Sequence, residues 1–338
     1  VTAFDKFLKW GYNRRILDTC SCPDVSYTLS GERVSRLNWF AVAHHREDLS
    51  PLCRGLDPSG HHPHEDHVDI ARLLGSLTAG AVCSGVYFGS EFCERLLPTP
   101  GELESALEET RARDLALVLL TPPLTDWGID RLARILEVFC GEEGGEIVCN
   151  DWGALAFVRE NFPCARPILG RLMSKMLREV RIAAHLAPGK APEGALRALM
   201  DCGYGGSDYA DLLAQFGVGR LEFDIPPQGL GLHLPDGLRG SVYVPFGFVS
   251  TGRICMPGSL RLPVEKKFTP QAACGKECTR WFLRLREENR SMQGNPPFLS
   301  QRGNTVFFLE EASLLAQVLS EGHVSGIDRV VVDNNVFA

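Results

Sequence analysis

The sequence predicts an α/β fold: a TIM-like (β/α) barrel with an N-terminal extension. Three observations carry this. From residue 82 onward, short apolar runs rich in β-branched and aromatic residues alternate with segments of helical periodicity. The alternation yields about eight candidate strands, the number at which a parallel sheet closes on itself. The chain's 338 residues, 44% of them hydrophobic, are enough for one large domain with an appendage. A doubly wound open sheet is the alternative, weakened as a dinucleotide-binding fold because no G-x-G-x-x-G follows the first run.

The elements follow in order. VCSGVYFG (82–89) is the first strand of the barrel, bounded by glycine. TPGELESALEETRAR (99–113) opens a helix, since Thr99, Pro100 and Glu102 form a capping box in which side chain and backbone satisfy each other's N–H groups. LALVLLT (115–121) is a buried strand, and DWGIDRLARILEVF (126–139) a helix capped by Asp126. EIVCN (146–150) is a strand leading into the helix DWGALAFVRE, with RPILG (166–170) and RLEFDI (220–225) as further strands and 207–217 as a helix between them. TVFFLE (305–310), a helix over 310–322 and IDRVVVD (327–333) close the barrel as a last strand–helix–strand unit.

Residues 1–78 read differently, as an N-terminal extension or small domain of unassigned function joined to a barrel over 79–338. They hold Cys20, Cys22, Cys53 and a punctuated polar stretch, DPSGHHPHEDHVD (57–69), whose His61, His62, His64 and His67 lie near Asp66 and Asp69. A solvated linker is the preferred reading, because Gly60 and Pro63 oppose a rigid helix; a second metal centre is the alternative.

Composition excludes several classes. A net charge of −7 and a pI near 5.8 give no general electrostatic footprint for nucleic acid, although a modified RNA base stays open as a target. No apolar run of about 18 residues is present to span a membrane. With no apolar leader visible, a cytoplasmic location is expected.

Twelve cysteines in such a chain point to metal binding, catalysis or burial rather than disulfides. Cys140, Cys149, Cys164 and Cys202 sit singly and read as structural. Cys255, Cys274 and Cys278 instead form C-x18-C-x3-C, and the short step places two sulfurs on one helical turn or one tight loop. Cys93, leaving the 82–89 strand at the barrel's C-terminal end, is a natural fourth member. Thiolates suit iron–sulfur clusters, zinc or Cu(I), and spacing alone leaves these open beside three unrelated core cysteines.

The residues around these thiols resemble the peptidase U32 (collagenase-like) family, nearest to its UbiV-type iron–sulfur proteins of O2-independent ubiquinone biosynthesis. The likeness runs through VYFGSEFCER, EIVCNDWGALAFV, RLEFDIPPQGL, VYVPFGFVSTGRIC and ACGKEC, and spans roughly residues 80–335. Residues 1–78 have no counterpart in it. The resemblance implies a [4Fe–4S] cluster held by Cys93, Cys255, Cys274 and Cys278, with zinc as the alternative metal. It also implies a subunit or accessory of an O2-independent hydroxylation, acting with a second U32-type chain. The alternatives are a protease-like hydrolase and a scaffold whose metal only braces its loops. No G-x-S-x-G or H-E-x-x-H motif supports the hydrolase.

Three carboxylates are candidates for proton handling. Asp151 lies between a strand and Gly153, where a helix cap competes with a substrate-facing role. Glu222 and Asp224 alternate on one strand, so both point to one face; inside a barrel, such a pair is costly to bury without partners. Asp333 and Asn334 end the last strand and are expected to line the same cavity.

Overall fold

The computed structural model describes residues 38–43, 83–141, 145–180, 182, 192–260, 262–267, 274–285, 299–320 and 326–333. Within them, eight strands close a parallel barrel: β1 (Asn38–Ala43), β2 (Cys83–Gly89), β3 (Ala116–Thr121), β4 (Glu146–Cys149), β5 (Arg166–Leu169), β6 (Arg220–Phe223), β7 (Arg239–Val244) and, returning beside β1, β12 (Ile327–Val332). The fold is thus a TIM-like α/β barrel. Helices α1 (Pro100–Arg111), α2 (Asp126–Phe139) and α3 (Trp152–Asn161) follow β2, β3 and β4, and α4 (Glu193–Met200) and α5 (Ser207–Gln215) lie between β5 and β6.

Two features depart from the sequence reading. β1 falls inside the stretch 1–78 that composition sets apart, so the barrel begins well upstream of residue 79 and the 82–89 strand is its second. Between β7 and β12 the chain inserts a separate antiparallel sheet of four strands, β8 (Phe246–Thr251), β9 (Phe282–Leu285), β10 (Leu299–Arg302) and β11 (Thr305–Leu309), in the order β8-β11-β10-β9. The segment TVFFLE therefore belongs to this insertion and not to the barrel; an apolar run looks the same in either sheet. The short helix α6 (Met256–Ser259) follows β8, and α7 (Ala312–Ser320) leads back to β12. The histidine stretch, Cys20, Cys22, Cys53 and Asn334 lie outside the described residues.

Side-chain alternation along the strands splits the core in two. Phe40, Val42, Tyr87, Val118, Leu120, Val148, Ile168, Tyr243 and Val331 fill the barrel, while Trp39, Phe88, Leu119, Leu221 and Phe223 face the helices. Gly85 makes room for the inner packing, since a Cβ there would sit 2.5 Å from the ring of Phe40. The helix starts are built as the sequence suggests at α1, where Thr99 and Glu102 exchange the capping-box bonds. At α2 the cap is Thr125 rather than Asp126, and the carboxylate that secures it comes from outside the helix: Glu94 Oε2 accepts from both the N–H and the hydroxyl of Thr125, each at 2.8 Å.

Candidate functional site

The insertion lies after the seventh barrel strand, so its loops fall at the C-terminal end of the barrel, beside the loop that leaves β2. This geometry assembles the thiols. Cys93 comes from the β2–α1 loop, Cys255 from the turn after β8, and Cys274 and Cys278 from the loop leading to β9. All four line one cavity of about 550 Å³, whose walls include Phe92, Trp127 and Arg253.

Each sulfur is placed by local structure. Cys255 is the N-cap of α6, where its Sγ accepts from the N–H of Gly258 at 3.4 Å. Lys276 adopts φ 55°, an uncommon left-handed conformation for a residue with a Cβ. It turns its N–H onto Cys274 Sγ at 3.4 Å, and the 3₁₀ turn Glu277–Thr279 then carries Cys278 to the same side. The C-x3-C step is thus a tight loop.

The thiols also act on one another. A hydrogen bond from Cys278 lowers the Cys255 thiol to about 7, outweighing burial. The Cys278 thiol is raised by that same contact and by burial, and Cys93 is raised chiefly by burial, with the neighbouring Cys274 and Cys255 adding to it. Among the described residues, no three His, Cys, Asp or Glu side chains converge as tightly as a single metal ion requires.

One residue that the sequence reading passed over joins the loops. The amide of Asn304, at the tip of the β10–β11 hairpin, donates to the carbonyl of Phe92 at 2.7 Å and to that of Gly252, tying the Cys93 loop to the strand that delivers Cys255. Arg302, beside it, donates to the Cys278 carbonyl at 3.1 Å, and the Gly303 carbonyl accepts from Met256. The Gly-Asn pair at the tip was the available signal, being a hairpin signature.

Beneath the cavity, the barrel mouth is filled by ions. Arg171, wholly buried, pairs with both oxygens of Glu91 at 2.9 and 2.8 Å, with Asp224 at 2.8 Å and with the Phe246 carbonyl at 2.8 Å. Its guanidinium lies 3.9 Å from the centre of the Tyr243 ring. Arg178 takes the second oxygen of Asp224. These contacts satisfy the buried carboxylates that would otherwise be prohibitive. Deeper still, Glu222 points into the barrel and accepts from the Tyr243 hydroxyl at 3.0 Å. Burial, reinforced by the charge of Glu91, pushes its carboxyl up to about 8, so it is largely protonated at neutral pH.

The candidate carboxylates are therefore separated from the cavity. Glu222 and Asp224 face the barrel interior as their alternation requires, but neither lines the cavity. Asp151 caps α3 through Ala154 N–H at 2.7 Å and receives the Leu124 N–H on its other oxygen at 2.7 Å, so both oxygens are engaged by backbone. Asp333 is buried and borders a smaller void of about 40 Å³ behind Cys93 and Cys278.

No protein-family model and no curated protein matches the chain.

Proposed function

We propose that this protein is an iron–sulfur protein of the U32 type, whose Cys93, Cys255, Cys274 and Cys278 hold a [4Fe–4S] cluster at the mouth of the barrel. The observation that carries the reading is that four thiols from three loops, far apart in sequence, border one cavity. Two of them receive backbone N–H groups on sulfur, the donors that stabilise a thiolate. Four cysteines match the one thiolate per iron that a [4Fe–4S] cluster takes, and zinc is the alternative metal for the same thiols.

Such a group, when bound, supplies one-electron chemistry and, with every iron taken by a cysteine, no open coordination position. The rest falls to the chain. Phe92 and Trp127 wall the cavity with apolar surface, and Arg253, held loosely by Glu94 at 3.7 Å, places a cation at its rim. The cavity's size is that of a small-molecule site. The buried ion cluster of Arg171, Glu91 and Asp224 occupies the barrel mouth, and none of the three lines the cavity. We assign the chain as a subunit or accessory of an O2-independent hydroxylation, acting in the cytoplasm with a second U32-type chain. The ring of a quinone precursor is the preferred target and an RNA base the second. Among the described residues no helix is long and apolar enough to cross a membrane.

A metal-braced scaffold is the competing reading, since the same thiols join the insertion to the barrel. Redox titration of anaerobically purified protein separates the two. The proposal expects a reversible one-electron signal with the far-ultraviolet dichroism unchanged on cycling. A redox-silent metal whose removal unfolds the chain would establish the scaffold instead.

A further inference from the structure

At the end of the barrel opposite the cavity, two other cysteines meet. Cys140 is the C-cap of α2, its N–H bonded to the Leu136 carbonyl at 2.8 Å, and Cys164 lies in the turn between α3 and β5. The strands that these connections feed are neighbours: β4 and β5 pair in register from Glu146 and Arg166, and the Arg166 N–H donates to the Gly145 carbonyl at 2.8 Å. Gly145 and Arg166, where the two connections enter the sheet, are therefore neighbours, and Cys164 lies close enough to Cys140 to act on its thiol. Cys164 is exposed and Cys140 partly buried against the core. Cys83, Cys149 and Cys202, by contrast, are buried.

We propose that Cys140 and Cys164 form a reversible dithiol–disulfide site, oxidised by small disulfides of the glutathione class, which staples the α2–β4 and α3–β5 connections together. The division of exposure sets the order of events. Cys164, the accessible thiol, loses its proton and attacks the small disulfide; that S–S bond breaks, and one small thiolate leaves and takes up a proton. Cys140 then loses its proton and attacks the Cys164 sulfur, expelling the second small thiol. Two protein thiols are oxidised, one small disulfide is reduced to two thiols, and both protons end on them. Burial, and after it the neighbouring Cys164, hold the Cys140 thiol up at about 12. The site needs no metal and stands apart from the cavity.

The test equilibrates the full chain with oxidised and reduced glutathione, quenches it by alkylation and maps the peptides by mass spectrometry. A peptide pair linking Cys140 to Cys164 is expected, reversed by reduced glutathione and absent in Cys164→Ser. Cys140→Ser should stop at a glutathione adduct on Cys164. Closing the loop between residues 140 and 164 should raise the melting temperature by several degrees, on the order of 5 °C. Recovery of the two cysteines as separate adducts or as free thiols in the folded wild-type chain would overturn the proposal.

Discussion

Replacing Glu222 with Gln should uncouple the stability of the barrel from pH. The wild-type carboxyl is raised from 4.5 to about 8, chiefly by burial, and therefore keeps its proton in the folded state over a range in which the unfolded chain has lost it. The sign follows. Below about pH 4.5 both states are protonated and the group adds no penalty. As pH rises towards 8, the folded state binds the extra proton and loses about 1.4 kcal/mol per pH unit relative to the unfolded chain; above 8 the loss levels off. Over some 3.5 units this reaches about 5 kcal/mol. Gln retains a carbonyl to accept from the Tyr243 hydroxyl and has no proton to lose. Urea unfolding of both proteins from pH 5 to 9 reads the difference, with contributions from other groups cancelling. The Gln variant should gain about 3.5 kcal/mol on the wild type between pH 5 and 8 and little beyond. A difference that stays constant across this range would refute the assignment of a protonated carboxyl inside the barrel.

Other perturbations probe the remaining supports. Arg171→Met leaves Glu91 and Asp224 buried beside an apolar side chain and should cost about 3–5 kcal/mol in denaturant unfolding; a loss under 1 kcal/mol would contradict the ion cluster as drawn. Asp151→Ala removes the acceptor for two backbone N–H groups and should cost about 1–2 kcal/mol, whereas unchanged stability with altered activity would return this carboxylate to the chemistry. Asn304→Ala releases the Phe92 and Gly252 carbonyls and, if the proposed cluster is bound, should speed loss of its iron to a chelator while the barrel stays folded; wild-type retention would show that the hairpin tip does not organise the thiols.

The barrel was legible where local chemistry is strong. The capping box at Thr99 and the apolar spacing of residues 126–139 define α1 and α2 without any tertiary information. β1 escaped because six strand residues sit between a polar flank and a histidine-rich one, and composition over the whole stretch outweighed them. β7 and β8 hid in a single apolar run, VYVPFGFVST, broken only by Pro245, where the chain leaves the barrel for the second sheet. β9 is mostly exposed and lacks a buried face for periodicity to reveal. At the site, the short C-x3-C step stands out in sequence, but the arrival of Cys93 and Cys255 at the same cavity depends on an insertion whose sheet was not recognised. The partnership of Arg171 with Glu91, 80 residues away, leaves no local trace at all.

The proposal that the four thiols hold one iron–sulfur cluster is open to direct measurement. Its most direct test is the iron, sulfide and zinc content of protein purified without oxygen, read with the visible absorption spectrum, for wild type and Cys274→Ser. About four irons and four sulfides per chain are expected, with a broad charge-transfer absorption that the Ser variant loses. Stoichiometric zinc, or a folded chain that takes up no metal, would contradict it.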